Sequence, residues 1–309
     1  MIQFETVNRE DDTGKQERGP VCCVSNTFYG SMRDIGAVAV LAQANELCAK
    51  GVKRAAFELK IEVPAGMEKS RVNSIRNHTK WAVELLGENG FEIDAFDVQG
   101  SISTALKVPA VTVTAAGKSV DKKLSAGAFL TARAGHDVIL IGEVGTEGML
   151  RVIGQREAEL RERFTPAFIR QMKAYDTQLC GIGKIEAARE CGALAVSQIS
   201  EGGILAALWN LAKETEKGLL LDMKKFAIRQ ETIEVCEYFR LNPYQLTSNG
   251  SFLVLAEHGE VFVEELKQKG YTASVIGQLT DNNDKVIHNG EDVRYIDRPA
   301  PDELLKIFG

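Results

Sequence analysis

The sequence predicts an α+β protein built as two domains. Three observations carry that expectation. The 309 residues suffice for two domains at roughly 150 residues each. Helix-like and strand-like segments interleave without a repeat of fixed period. Residues 118–133 mix glycine, serine and charge and read as a linker, which places the domains at 1–125 and 126–309. Apolar residues at 44% and charged residues at 26% exclude collagen-like, mucin-like and wholly disordered chains.

Residues 1–20 are polar and read as a loose arm or an edge strand, and 21–25 form a short β-type run. Asp34-Ile35-Gly36 opens a helix to about Lys50, with Gly51 as its left-handed stop. Residues 54–63 lean toward strand until Pro64 breaks them. A long helix over 67–88 carries Val72, Ile75, Thr79, Ala82 and Leu86 on one face, and Asn89-Gly90 ends it. Strands follow at 91–98 and 108–115. In the second half, 137–142 is a continuous apolar strand, and 156–163, 166–176 and 183–191 are helical pieces. Residues 200–216 make a strong helix with Ile204, Leu205, Leu208 and Leu211 on one stripe. A strand at 219–222, a helix at 228–239, a strand at 252–256, a helix at 261–269 and a strand at 273–279 complete the order. From Lys285 the tail alternates loosely.

The net charge is -6, from 43 acidic and 37 basic residues, with no basic stripe, so nucleic acid is not an expected partner. The start lacks the apolar core of a signal peptide, and no uncharged apolar run reaches the ~18 residues of a membrane span. A cytoplasmic protein without a membrane partner is expected. Cys22, Cys23, Cys48, Cys180, Cys191 and Cys236 are irregularly spaced, with no Cys-x-x-Cys, and read as free thiols packed as small hydrophobes.

No phosphate loop of the GxxxxGK[ST] type, no GxSxG elbow and no HExxH occurs. Gly142, Gly145 and Gly148 follow the strand core 138–141, where exposed amides would cradle a phosphate oxygen; a tight bend is the plainer alternative. Ser200-Glu201-Gly202-Gly203 precedes the stripe beginning at Ile204. Ser200 suits an N-cap there, and Gly202 and Gly203 either receive an anion at the positive end of the helix or permit close packing. Asp11-Asp12, Asn26 and Asn45-Glu46 supply hard oxygens of the kind Mg²⁺ prefers. Residues 151–163 alternate acids and bases and read as a solvated helix face.

Taken in order, four stretches resemble the aminoimidazole ribonucleotide (AIR) synthetase superfamily, and within it the HypE-type hydrogenase maturation factors above all. They are Asp34-Ile35-Gly36 leading into Asn45-Glu46-Leu47-Cys48-Ala49-Lys50-Gly51, residues 137–148, residues 200–204, and Thr247-Ser248-Asn249-Gly250 before the strand 252–256. The resemblance implies an N-terminal domain whose sheet dimerises into a barrel and a C-terminal α/β sandwich. It implies ATP and Mg²⁺ in a cleft at the dimer boundary, with transfer of the γ-phosphoryl group to an oxygen of a small substrate. Carried onto this chain, Asp12 and Glu46 would hold metal, while Asn26, Asn45, Gly145, Gly148, Ser200, Gly202 and Gly203 would hold nucleotide; no catalytic residue is assigned. The chain departs from the family where Asn26 replaces an Asp, Glu46 replaces the Asp of an Asn-Asp pair, and Asp97-Val98-Gln99-Gly100-Ser101 replaces a Gly-Gly-Asp-Thr segment. It also lacks the terminal cysteine that receives a carbamoyl group, since it ends Lys306-Ile307-Phe308-Gly309. Two alternatives follow: a non-catalytic dimer that binds a nucleotide or metabolite at a degenerate site, and an accessory factor docking on a metalloenzyme during its maturation.

Overall fold

A computed structural model describes residues 19–120, 129 and 131–308. Asp11 and Asp12 lie outside the described residues. The first half forms a four-stranded sheet from β1 (Val21–Tyr29), β2 (Val52–Pro64), β3 (Glu92–Ser103) and β4 (Ala110–Ser119), in the order β1-β4-β2-β3. Only β2 and β3 run parallel, joined by the crossover helix α2 (Lys69–Glu88). This sheet is open, with β1 and β3 at its edges, and does not close into a barrel within one chain.

Helix α2 buries Ile75, Thr79, Ala82 and Leu86 on the stripe the sequence predicts. Helix α1 (Ile35–Ala49) behaves differently: every residue except Glu46 is buried. It packs against β1, β4 and α2 on one side and reaches toward β6 (Ala195–Gln198) and α5 (Ile182–Glu190) on the other. A helix apolar on all sides is a central one, and α1 is the shared core between the two halves.

The second half is a seven-stranded sheet of β5 (Asp137–Ile141), β6, β7 (Gly218–Asp222), β8 (Phe252–Ala256), β9 (Ala273–Thr280), β10 (Lys285–Asn289) and β11 (Asp292–Tyr295), ordered β11-β10-β7-β9-β5-β8-β6. Strands β5 and β8 are buried on both faces, which is why they read as unbroken apolar runs. Val138 and Leu140 face a core closed by Ile204, Leu208 and Leu211 of α6 (Gly203–Thr215). Ile139 and Ile141 face the larger core that continues into α1 and the first sheet.

The structure corrects three expectations. Helix α3 (Thr146–Leu160) begins directly after the glycine turn, ten residues before the expected start at 156. Its glycines mask a buried face of Met149, Val152, Ile153 and Leu160, so residues 151–163 are not a solvated face throughout. A non-helical residue, Arg156, kinks it at the expected start. Strand β6 fell between helical pieces in the sequence reading, and the tail forms the hairpin β10–β11 rather than loose chain. The remaining helices are α4 (Pro166–Lys173), α7 (Gln230–Phe239), α8 (Gly259–Gln268) and the short α9 (Leu305–Phe308).

Candidate functional site

Two helix starts converge on one loop. Gly145 and Gly202, in left-handed conformation at φ +75° and +79°, are the N-cap residues of α3 and α6, a geometry that glycine adopts without the steric cost a side chain brings. Both turns pack on the chain leading into residues 246–251: a Cβ on Gly148 would lie 2.2 Å from Leu246, and one on Gly203 would lie 2.6 Å from the Tyr244 carbonyl. The amides named from sequence are used within the protein. Gly145 N–H donates to Ser248 Oγ at 2.7 Å and Gly148 N–H to the Thr247 carbonyl at 3.1 Å. Gly203 N–H donates to the Ser200 carbonyl at 3.1 Å.

Gly202 N–H donates to Asp302 Oδ2 at 2.8 Å, while Asp302 Oδ1 accepts from Leu304 N–H at 2.9 Å. The chain thus places its own carboxylate at the positive end of α6. Burial pushes the Asp302 carboxyl up to about 6, outweighing these two amide hydrogen bonds, which favour the ionised form.

Beside it lies a second buried carboxylate, Glu147, in the first turn of α3 and 0% exposed. Its Oε2 accepts from Thr247 Oγ1 at 2.6 Å, Asn249 Nδ2 at 2.7 Å and Asn249 N–H at 3.1 Å. Its Oε1 accepts from Arg151 Nη1 at 3.2 Å, one helical turn on. Ser200 Oγ donates to Asn249 Oδ1, joining the two helix starts. Arg151 also donates to the Tyr29 carbonyl at 2.9 Å and lies 5.8 and 5.9 Å from the ring centres of Phe28 and Phe308. One guanidinium therefore ties together the first sheet, the loop network and the C-terminal segment.

A basic cluster flanks the loop on its other side. Half-buried Lys184 donates to the Gln178 and Gly250 carbonyls at 2.9 and 2.7 Å, and desolvation pushes its ammonium down to about 8. Arg229 pairs with Glu143 at 2.5 Å and stacks 4.0 Å from the Tyr175 ring centre.

The structure brings Gly145, Gly148, Ser200, Gly202 and Gly203 together and leaves Asn26 and Glu46 apart, while Asn45 reaches the loop through Gln198, whose Oε1 also accepts from Gly250 N–H. Asn45 is 0% exposed and bonds Leu179 O, Gln198 Oε1 and Gly181 N–H, an amide that joins α1 to the second half. Asn26 is exposed on β1 and accepts from the neighbouring Thr27 N–H. Glu46 pairs with Lys50 at 2.6 Å. Sequence reasoning missed Glu147, Arg151, Asn249 and Asp302 as members of the network. Glu147 and Arg151 do stand at i, i+4 spacing, and Asn249 lies in a quoted motif; Asp302 carried no signal in a patternless tail.

Two fits follow from these contacts. For a phosphate, α3 has no capping side chain, and the buried Thr146 Oγ1 in its first turn has no hydrogen-bond partner, so a hydroxyl suited to an anion is at hand at the positive end of the helix. For Mg²⁺ the fit is lacking: no three His, Cys, Asp or Glu side chains among the described residues converge to hold a metal.

Residues 133–289 match the AIR synthase related protein, C-terminal domain, and the chain belongs to that family. In fold it is HypE-like. Escherichia coli HypE superposes with a TM-score of 0.75 at 18% identity, covering 98% of this chain and 93% of that one. The hydrogenase maturation protein HypE in complex with ATP superposes at 0.68 with 14% identity, covering 96% and 90%. A Methanocaldococcus jannaschii protein named for hydrogenase expression/formation is 24% identical over 282 residues, 89% of this chain and 79% of that one. No helix among the described residues is long and apolar enough to cross a membrane.

Proposed function

We propose that this chain is a HypE-like nucleotide-binding protein that uses ATP to activate an oxygen of a small substrate, acting in the cytoplasm in the service of metalloenzyme maturation. The observation that carries the reading is the Asp302 carboxylate seated on Gly202 N–H. The start of α6 already holds an anion, and a phosphate oxygen would take the same place once Asp302 withdraws. The first turn of α3, with the Thr146 hydroxyl, would receive a second phosphate oxygen. When bound, ATP supplies a transferable phosphoryl group, and the protein's part is to position it and offset charge through helix amides. No step is routed through Mg²⁺, for which the described residues offer no converging carboxylates.

We keep the domain division at 125/126, a reading supported by a first sheet that ends at Ser119 and a second that begins at Asp137. We place a homodimer contact on the outward face of the first sheet, where Ser25 meets Thr114 and Thr27 meets Thr112 through paired hydroxyls. The HypE-like fold and the relative named for hydrogenase expression/formation support the wider reading.

The second reading, a dimer that binds a nucleotide without turning it over, is favoured by the fully engaged Asn45. Calorimetric titration of the full chain with ATP, paired with a phosphate-release assay, separates the two. Removing the competing carboxylate in Asp302→Ala is expected to tighten ATP binding by about 2- to 5-fold, the worth of a charge at a helix start. Binding with phosphate release supports the enzyme, and binding without release supports the binder. Absence of ATP binding in both proteins overturns both readings.

A further inference from the structure

The seven-stranded sheet is covered unevenly. On one face, Leu219, Leu221, Ile276, Leu279 and Ile287 are buried in the core that α6 closes. On the other, strand register sets Gln278, Leu220, Val286 and Tyr295 in one row across β9, β7, β10 and β11, because residues paired across strands share a face. Asp222, His288 and Val293 form the next row. Leu220 stays 38% exposed, Val293 53% and Tyr295 65%.

The turn after β7 raises Lys224 and Lys225 beside this face and leaves a cavity of about 560 Å³, lined among others by Leu220, Lys224, Lys225, Val275, Gln278 and His288. That volume suits a small organic molecule, since ligand sites run to roughly 300–1,000 Å³. The polar groups are unequal in what they have left to give. Asp137 accepts from Gly259 N–H at 2.7 Å and Asp222 from Lys224 N–H at 3.0 Å, so each lining carboxylate already serves the backbone. The side chains of Lys224, Lys225, His288 and Gln278 have no hydrogen-bond or ion-pair partner among the described residues. The floor is aliphatic, from Leu220 and Val275.

We propose that this cavity binds a small organic anion: a flat, unsaturated body lying on Leu220 and Val275, with a carboxylate, sulfonate or phosphate held by Lys224 and Lys225 and steadied by His288 and Gln278. An apolar floor beside unpaired donors suits such a molecule, since its anionic group receives charge-assisted hydrogen bonds and its ring leaves water. The cavity is distinct from the helix-start network. It lies at the Asp137 end of β5, whereas the glycine turn follows Ile141, about 13 Å along the strand. The two share no residue.

The test uses the full chain and anilinonaphthalene sulfonate, an aromatic anion whose fluorescence rises in an apolar site. Saturable binding of one equivalent is expected, with uncharged phenylnaphthylamine not bound. Affinity is expected to fall by about tenfold or more in Lys224→Glu/Lys225→Glu, as attraction turns to repulsion. It should fall comparably in Leu220→Asp, with circular dichroism confirming that each variant is folded. Binding that is unchanged in the double variant, or that phenylnaphthylamine matches, overturns the proposal. One-for-one displacement of the probe by ATP also overturns it, since that would place the probe in the helix-start network. Loss of probe binding in the folded double variant upholds this site whether or not the chain binds ATP.

Discussion

Asp302 holds a proton more tightly in the folded chain than in the unfolded one, about 6 against 3.8, because burial outweighs its two amide hydrogen bonds. Ionising it at neutral pH therefore works against the folded state, by up to about 3 kcal/mol from the difference of the two values. The penalty is complete above pH 6 and is relieved as pH falls toward 4. Urea unfolding of wild type and Asp302→Asn at pH 7 and pH 4 checks this. The wild-type stability, measured relative to the variant, should rise on acidification; a difference that stays flat removes the assignment. Glu147 is held by four donors, from Thr247, Asn249 and the Arg151 guanidinium. Deleting it in Glu147→Ala leaves buried donors and a guanidinium without their acceptor, and a loss of about 3–5 kcal/mol in chemical denaturation is expected, with a smaller loss in Glu147→Gln.

At the scale of elements, the glycine-led helix starts are tight junctions between chain segments. Gly203 has φ +66°, and a Cβ there would meet the Tyr244 carbonyl at 2.6 Å and Leu246 N–H at 2.8 Å. Gly135, at φ +89°, has nothing within 4 Å. Gly203→Ala should therefore destabilise by more than the ~1–2 kcal/mol of left-handed backbone alone, and Gly135→Ala by that backbone cost alone. Thermal melts of the two variants rank them, and equal shifts would mean that the α6 junction is loose. The same packing explains an error of sequence reading. Residues 142–148 read as a phosphate cradle or a tight bend ahead of a helix expected only from 156, yet Gly148 lies within α3, where its missing side chain admits Leu246. Helix α2, packed on a single face, showed its 3.6-residue period plainly; α1, buried all round, showed no stripe from which its neighbours could be inferred.

For the whole molecule, one core runs from the first sheet through α1 into the second, while β1 and β4 of the first sheet keep small polar residues on their outward face. If that face pairs two copies, light scattering behind size exclusion will report a dimer. Ser25→Glu, which sets a charge in that contact while Thr114 opposite it within the chain stays neutral, will shift it to monomer with the circular-dichroism spectrum of the subunit unchanged. A monomeric wild type would remove both the dimer and a nucleotide cleft at its boundary. The sequence by itself determined what is local: the apolar runs of β5 and β8, the stripe of α2, the glycine stops, and the order of motifs that points to the AIR synthase family. Only the tertiary structure decided which groups meet. Asp302 reaches Gly202 across 100 residues, and Glu147 reaches Asn249 across 102. Periodicity registers neighbours three or four positions apart, whereas a contact closed over a hundred residues depends on how the sheets stack and leaves no pattern in the chain.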